Sequence, residues 1–417
     1  MATTPGPIRN WAGTVTYTPT ELHRPTSVAE LQQLVAGQPR VKALGTGHSF
    51  NRVADTDGAL VSVRDLPPVL ELDTAGEQLR VGAGIRYGEL GGYLDERGRA
   101  LPNLGSLPHI SVGGACATGT HGSGDANQVL AAAVTALQLV TADGELVELA
   151  ADDPDFAGCV IGLGALGVVT ALTLRTVPAF QLRQYVYDGL PLDALAGHLD
   201  EVFGAGYSVS AFTRWQDGLA QVWVKSRDER PGGDWFGAVP ADGPRHPIAG
   251  EDPVAATEQL GVEGAWRHRL PHFRLEFTPS AGEEIQSEYF VPREHAPAVI
   301  GELRAIAELL APALLVSELR TIAADELWLS PAYGQPRVAF HFTWRRDEPL
   351  VGGLLPELES RLAPYGAVPH WGKRFDTPPA RLAELHPRLA DFAALAGRYD
   401  PTGKFGNDFS RQLLEQF

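Results

Sequence analysis

Residues 103–125 read NLGSLPHISVGGACATGTHGSGD and residues 43–51 read ALGTGHSFN. In the longer segment glycines recur at 105, 113, 114, 119, 122 and 124, with Ser106, Ser111, Thr118, Thr120, His121 and Ser123 among them. Glycine loses more freedom on folding than any other residue, so this density is costly unless a ligand must approach the main chain closely. Small residues permit that approach, and the hydroxyls supply donors. The shorter segment follows VKAL, which reads as a strand, and sets Gly45 and Gly47 before His48 and Ser49. Backbone N–H groups exposed there form a concavity suited to a phosphate or to the edge of a flat cofactor, although each loop taken alone also fits a tight turn.

Around these loops the pattern is mixed. Residues 24–36, RPTSVAELQQLVA, offer Ser27 and Glu30 as a capping box ahead of apolar residues at helical spacing. Short β-rich runs follow (VKAL, ALVSV, VLELD, LRVGAGI), then a helix in YGELGGYLDERG. Residues 134–149 read as two strands joined through Asp143-Gly144, which makes the sheet at least partly antiparallel. Composition changes near Pro178, where longer strands such as RWQDGLAQVWVKS begin, and the Pro/Gly-rich residues 230–253 read as a surface loop. Helical segments VGGLLPELESRLAPYG and RLAELHPRLADFAALAGRY precede the closing DPTGKFGNDF.

At 417 residues the chain exceeds the size at which one core usually stops growing, so two domains are expected. Acidic residues outnumber Lys and Arg by 51 to 34, a balance that repels phosphate backbones and anionic headgroups and argues against nucleic-acid binding. Cys116 and Cys159 are too few for a disulfide framework and fit a reducing compartment. No leader pattern and no membrane-length apolar run is visible, so a cytoplasmic location is expected.

Further motifs divide between those that exclude chemistry and those that suggest it. Gly162, Gly164 and Gly167 spell G-x-G-x-x-G, but the following VVTALTLRTV is strand-like, whereas a nicotinamide site needs a helix there. His268 and His272 flank Pro271, which breaks the helix a zinc pair would use, and neither H-E-x-x-H nor G-x-S-x-G occurs. In SELRTI, Glu318 and Arg320 stand two apart, as do His341 and Thr343 in VAFHFTW. In strands such pairs share a face, and neighbouring strands would bring the four groups together on a polar substrate or leave them on a solvated sheet face. PHWGKRF adds His370 and Lys373 on a loop.

Taken together RPTSVAEL, ALGTGHSFN, LGSLPHISVGGACATGTHGSGD, GALGVVT, SELRTIAADELWLSPAYG, FHFTW, PHWGK and DPTGKFGNDF resemble the vanillyl-alcohol-oxidase family of flavoproteins, and within it the alditol-oxidase type, over nearly the whole chain. The resemblance implies an α+β fold: a two-subdomain FAD-binding domain from residues 1–178, to which a tail of about 368–417 returns, and an α+β substrate (cap) domain at 179–367. It implies FAD covalently bound through His48, at the flavin 8α-methyl carbon. FAD contacts are expected from Ala43, Leu44, Gly45, Thr46, Gly47, Ser49, Ser106, Ser111, Gly114, Thr118, Gly119, Thr120, His121, Val169, Arg320 and His370. Ser106, Glu318, Arg320 and Thr343 are expected to bind substrate, and Lys373, Glu318, Arg320 and His341 to surround the chemistry. Gly105 falls where the family often keeps a small residue beside the edge of the flavin that meets oxygen.

The implied reaction is oxidation of the terminal hydroxyl of a small polyol, such as xylitol or sorbitol, with O2 as acceptor and H2O2 as product. No metal, membrane or nucleic-acid partner is expected, and the chain is expected to be a monomer. An aldonolactone oxidase of the gulono- or arabinonolactone kind, the same fold with a non-oxygen acceptor, and a non-catalytic flavin or sugar-binding module are the competing readings.

Overall fold

The computed structural model describes residues 6–19, 21–228, 235–277 and 283–417. Two larger sheets form within residues 21–178, beside a two-stranded pairing of Arg99–Ala100 with Val177–Pro178. Leu22–His23, Ala59–Val61 and Val41–Ala43 make a parallel three-stranded sheet in that order, and Leu70–Leu72, Gln78–Gly82, Val168–Arg175, Val134–Val140 and Leu146–Ala150 make an antiparallel five-stranded one. Ser27 caps the helix Val28–Gly37 by accepting from the Glu30 N–H at 3.1 Å, but the Glu30 carboxylate turns back to the Thr26 N–H and hydroxyl, one residue short of closing the expected capping box. The Asp-Gly hairpin forms as expected, with Gly144 at φ +86°. Gly162, Leu163 and Gly164 form a turn that leads into the strand Val168–Arg175 and not into a helix.

From Gln181 onward the chain builds a nine-stranded antiparallel sheet, ordered Val239–Pro240, Gln181–Pro191, Leu219–Ser226, Ser208–Thr213, Leu314–Ile322, Arg337–Arg345, Glu284–Pro292 and Val368–Pro369, with Glu263–Ala265 on the Gln181–Pro191 strand. The long strand expected from Arg214 begins instead at Leu219, because Trp215 takes φ +70° and reverses the chain. Successive strand residues alternate faces. Leu319, Phe340, Phe342, Trp344, Val222 and Val224 on one face pack under the helices Leu199–Phe203, Ala296–Ala305 and Glu348–Leu362. The alternate positions carry Glu318, Arg320, His341, Thr343, Gln286, Glu288 and Lys225, all buried, on the opposite face.

Residues 230–234 of the expected surface loop lie outside the described residues; the rest is largely exposed loop with a few docked residues. Val239–Pro240 joins the sheet edge, Arg245 donates to Asp188 at 3.0 Å, and Ile248 packs with Phe212, Trp223 and Val316. The helical segment 381–399 is split at Pro387 into Pro379–Leu385 and Leu389–Tyr399, since proline cannot donate within a helix.

The chain end folds back on its start. Phe405 packs with Leu31, Val41, Val61 and Val168, the Val41 N–H donates to Lys404 O at 3.0 Å, and Asn407 Nδ2 donates to the carbonyls of Arg52, Val53 and Asp55 at 3.1, 3.1 and 2.8 Å. Asn407→Ala leaves three carbonyls without their donor and is expected to cost about 1–3 kcal/mol. The check is the urea midpoint followed by tryptophan fluorescence; an unchanged midpoint would remove this anchor from the account.

Candidate active site

A cavity of about 840 Å³ runs from the two glycine-rich loops to the polar face of the large sheet. Its loop half is backbone-lined. A side chain at Gly45 would put Cβ 2.7 Å from Ser111 Oγ, so glycine there keeps the loops in contact. Thr46 ties them further: its hydroxyl accepts from the Ser111 N–H at 3.3 Å and shares a 3.0 Å hydrogen bond with His48 Nδ1. The His48 ring stacks on Trp11 at 5.2 Å, and its Nε2 is buried without a hydrogen-bond partner. Burial, with Lys373, His109 and Arg86 nearby, pushes this imidazole down to about 3, so it is neutral near pH 7.

Strand register assembles the other half. Glu288 pairs opposite His341, and His341 opposite Glu318, across three neighbouring strands; Gln286 stands opposite Thr343 one step along. Lys373 comes from the chain leaving the sheet. The His370 N–H donates to Glu288 O at 2.9 Å and the Arg374 N–H to Gln286 O at 2.8 Å, which brackets Lys373 so that its Nζ donates to Gln286 Oε1. Asn51 Nδ2 holds the carbonyls of Trp371 and Lys373, both at 2.8 Å, from the His48 loop. Arg320 bridges the halves: it donates to Glu288 and, at 3.3 Å, to Ser106 Oγ, while its Nε sits 3.6 Å from Glu318 without a hydrogen-bond acceptor.

The charges define what the site can hold. Burial raises both carboxyls, but Arg320 with His121 and His341 overrides it at Glu288, and Arg320 with His272 and His341 overrides it at Glu318. Both stay well below the ordinary carboxylate range and are ionised. Burial brings Lys373 down to about 8, with Glu288 opposing that shift, so the ammonium loses its proton just above neutrality. Accept-only carboxylates beside donors from Arg320, Lys373 and Gln286 suit a ligand that both gives and takes hydrogen bonds at several atoms.

Ala43 to Ser49, Ser106, Ser111, Gly114, Thr118, Thr120, His121, Val169, His370, Glu318, Arg320, His341, Thr343 and Lys373 all line this cavity. Gly119 does not. It turns at φ +69° against Pro331. Among the lining polar residues not assigned to the site from the sequence are Gln286, Glu288 and His272. The alternation Glu284, Gln286, Glu288 within a strand was the signal for the first two. His272 was weighed as half of a zinc pair, but its partner is Glu318, which its Nε2 meets at 2.7 Å.

Residues 19–150 match the FAD binding domain family and residues 281–413 the D-arabinono-1,4-lactone oxidase family. The chain is 48% identical over 412 residues to an alditol oxidase from a Streptomyces species, covering 98% of this chain and 99% of that one. This chain belongs to the alditol oxidase branch of the vanillyl-alcohol-oxidase family. As a member of that family it is an FAD-dependent oxidoreductase with the α+β fold of its relatives. It is also 30% identical over 427 residues to an L-gulono-1,4-lactone dehydrogenase of Mycobacterium tuberculosis, covering 97% of this chain and 98% of that one. Cholesterol oxidase from B. sterolicum shares the fold, with TM-score 0.77 at 15% identity over 98% of this chain and 96% of that one. Among the described residues no helix is long and apolar enough to cross a membrane. The cavity fits the cofactor of this oxidoreductase family: a glycine-lined cradle, the buried unpartnered Nε2 of His48 and the buried unpartnered Oγ of Ser111 all face it.

Glu288→Leu removes the carboxylate that Arg320 and His121 share and is expected to cost about 3–5 kcal/mol, the usual result of breaking a buried pair from one side. A carboxyl depressed in the folded state stabilises above its ordinary value of 4.5, and that contribution is lost as pH falls below it. Urea midpoints from pH 7 to pH 3 should therefore fall less steeply in the variant than in wild type. Parallel curves would mean that Glu288 is not held as an ionised pair.

Proposed function

We propose that this enzyme oxidises the terminal primary hydroxyl of small polyols, such as xylitol, sorbitol and related alditols, to the aldose, reducing O2 to H2O2, with FAD covalently bound through His48. The observation that carries the reading is the meeting of buried Glu318, Arg320 and Thr343 with half-buried Ser106 and Lys373 in the cavity that His48 also lines. FAD, when held by the glycine-rich loops and His48, would supply the two-electron oxidant for the alcohol carbon, with O2 as the final acceptor.

The protein's share is positioning and proton handling. Glu318, ionised and accept-only, takes a hydrogen bond from one substrate hydroxyl; Arg320 donates to the next, and Ser106 and Thr343 fix the chain between them. Lys373 stands at the reacting oxygen, holding it as an ammonium and accepting its proton as the free amine. A site built to bond several hydroxyls rejects alcohols that lack them. The division near residue 178 into a cofactor portion and a substrate portion belongs to the same proposal, as do the cytoplasmic location and monomeric state.

The match of residues 281–413 to the lactone oxidase family favours a second reading, an aldonolactone substrate. Two ionised carboxylates speak for the polyol, because a polyol offers a donor at every carbon whereas a lactone carbonyl only accepts. Anaerobic xylitol should bleach the flavin, and aerobic turnover should yield one H2O2 per xylitol. Bleaching by L-gulono-1,4-lactone and not by xylitol would transfer the assignment to the lactone.

In acid-precipitated wild type the flavin should stay with the polypeptide, and in His48→Ala it should stay in the supernatant. Wild type that releases its flavin would rule out the covalent bond. On xylitol, kcat/KM should rise with pH through about 8, following loss of the Lys373 proton, and Lys373→Met should lose that limb together with roughly a hundredfold or more in rate. A variant with wild-type rate and profile would displace Lys373 from the chemistry.

A further inference from the structure

Glu318 and His272 line the cavity, and with Lys225 behind them they form a buried chain of three side chains on three different elements. Lys225, on the strand Leu219–Ser226, is 1% exposed, and His272 and Glu318 are 4% and 6% exposed. Lys225 Nζ has three acceptors within reach, Leu270 O, Pro271 O at 3.3 Å and His272 Nδ1 at 3.0 Å, which matches the three protons of an ammonium. A donor on Nδ1 makes that nitrogen the acceptor and fixes the neutral ring's proton on Nε2, where it points at Glu318 Oε1, 2.7 Å away. Phe212 and Trp223 clamp the ring edge to face at 5.5 and 5.4 Å. The backbone of the same segment holds the other wall, with the His272 N–H donating to Ser106 O at 3.1 Å.

We propose that His272, with its tautomer set by Lys225, is a positioning residue that holds Glu318 in the rotamer from which it accepts a substrate hydroxyl. This rests on the substrate role assigned to Glu318 above. Glu318 also faces Arg320 on its own strand and His341 on the next, but Arg320 Nε stands 3.6 Å away without a hydrogen bond. A carboxylate has two oxygens with several acceptor sites. Spending one oxygen on a fixed imidazole N–H leaves the other oriented and uncommitted. Burial and Lys225 both push the His272 ring down, to about 4, so the ring is neutral near pH 7.

The test is a double-mutant cycle on kcat/KM for xylitol, measured with flavin-loaded holoenzyme and with flavin content and thermal midpoint recorded for every variant. His272→Leu should lose roughly tenfold or more in the wild-type background and under about twofold in Glu318→Gln, because its effect passes through Glu318. His272→Gln, which keeps an N–H donor, should recover most of the loss. Lys225→Met leaves the imidazole in place but frees its tautomer, and should lose several-fold in the wild-type background and little in Glu318→Gln. It carries the comparison if His272→Leu fails to load flavin. Equal penalties in both backgrounds would make the chain a packing feature and overturn this inference alone. Failure of the wild-type holoenzyme to oxidise xylitol would overturn it together with the reading it rests on.

Discussion

A guanidinium buried between two carboxylates sets the terms for the rest of this molecule. Arg320 lies against Glu288 and near Glu318, and none of the three is more than 6% exposed. Removing any one from water would cost far more than a domain's net stability unless the others stand in the right place. That requirement fixes strand register: a slip of one residue in Leu314–Ile322 would move Glu318 and Arg320 to the helix-covered face and bury Leu319 against charges. The apolar face of the sheet and its ionic face therefore enforce one alignment together.

The same cluster explains why chain segments far apart in sequence converge. Ser106 on the glycine loop accepts from Arg320, His272 supports Glu318 from the 271–273 turn, and Lys373 arrives on the turn after Val368–Pro369, tied down by Asn51. Each is a polar group that its neighbours need in order to be satisfied in a buried setting. The loop half is held to the sheet half by these bonds, so in the proposed reaction a cofactor on the glycines and a substrate on the sheet would share one geometry.

What the sequence made legible follows from the range over which each signal acts. Glycine spacing, the Ser27 cap and the Asp143-Gly144 hairpin are local, and the loops and turns they imply stand where they were read. The pairs Glu318/Arg320 and His341/Thr343 were readable as same-face pairs because strands alternate; that they face each other depended on register, which no local pattern carries. Gln286 and Glu288 show the same alternation in EIQSEYF and could have been read in the same way. His272 and Lys225 could not, since their meaning lies in a contact across 47 residues and in a side chain on a third strand. Trp215 was misread for a related reason, as was the short edge strand Val239–Pro240 within an otherwise exposed loop: a left-handed turn and an edge-strand docking are imposed by packing and not by propensity.

The balance of charge in the site bears on its chemistry. Glu288 and Glu318 face Arg320, Lys373 and, one layer back, Lys225, so cations match or exceed carboxylates, while burial holds His272 and His370 neutral. Of these cations Lys373 and Lys225 are brought near neutrality by burial, whereas Arg320 is held fully charged by its two carboxylates. One cation in the cavity is thus fixed and another can give up its charge, and in the proposed reaction the first would serve orientation and the second proton transfer. An alcohol oxidation needs both, because the hydroxyl must be held still while its carbon loses hydride and must also lose its proton. Placing the two functions on different side chains lets the substrate be gripped by groups whose charge does not change during the reaction.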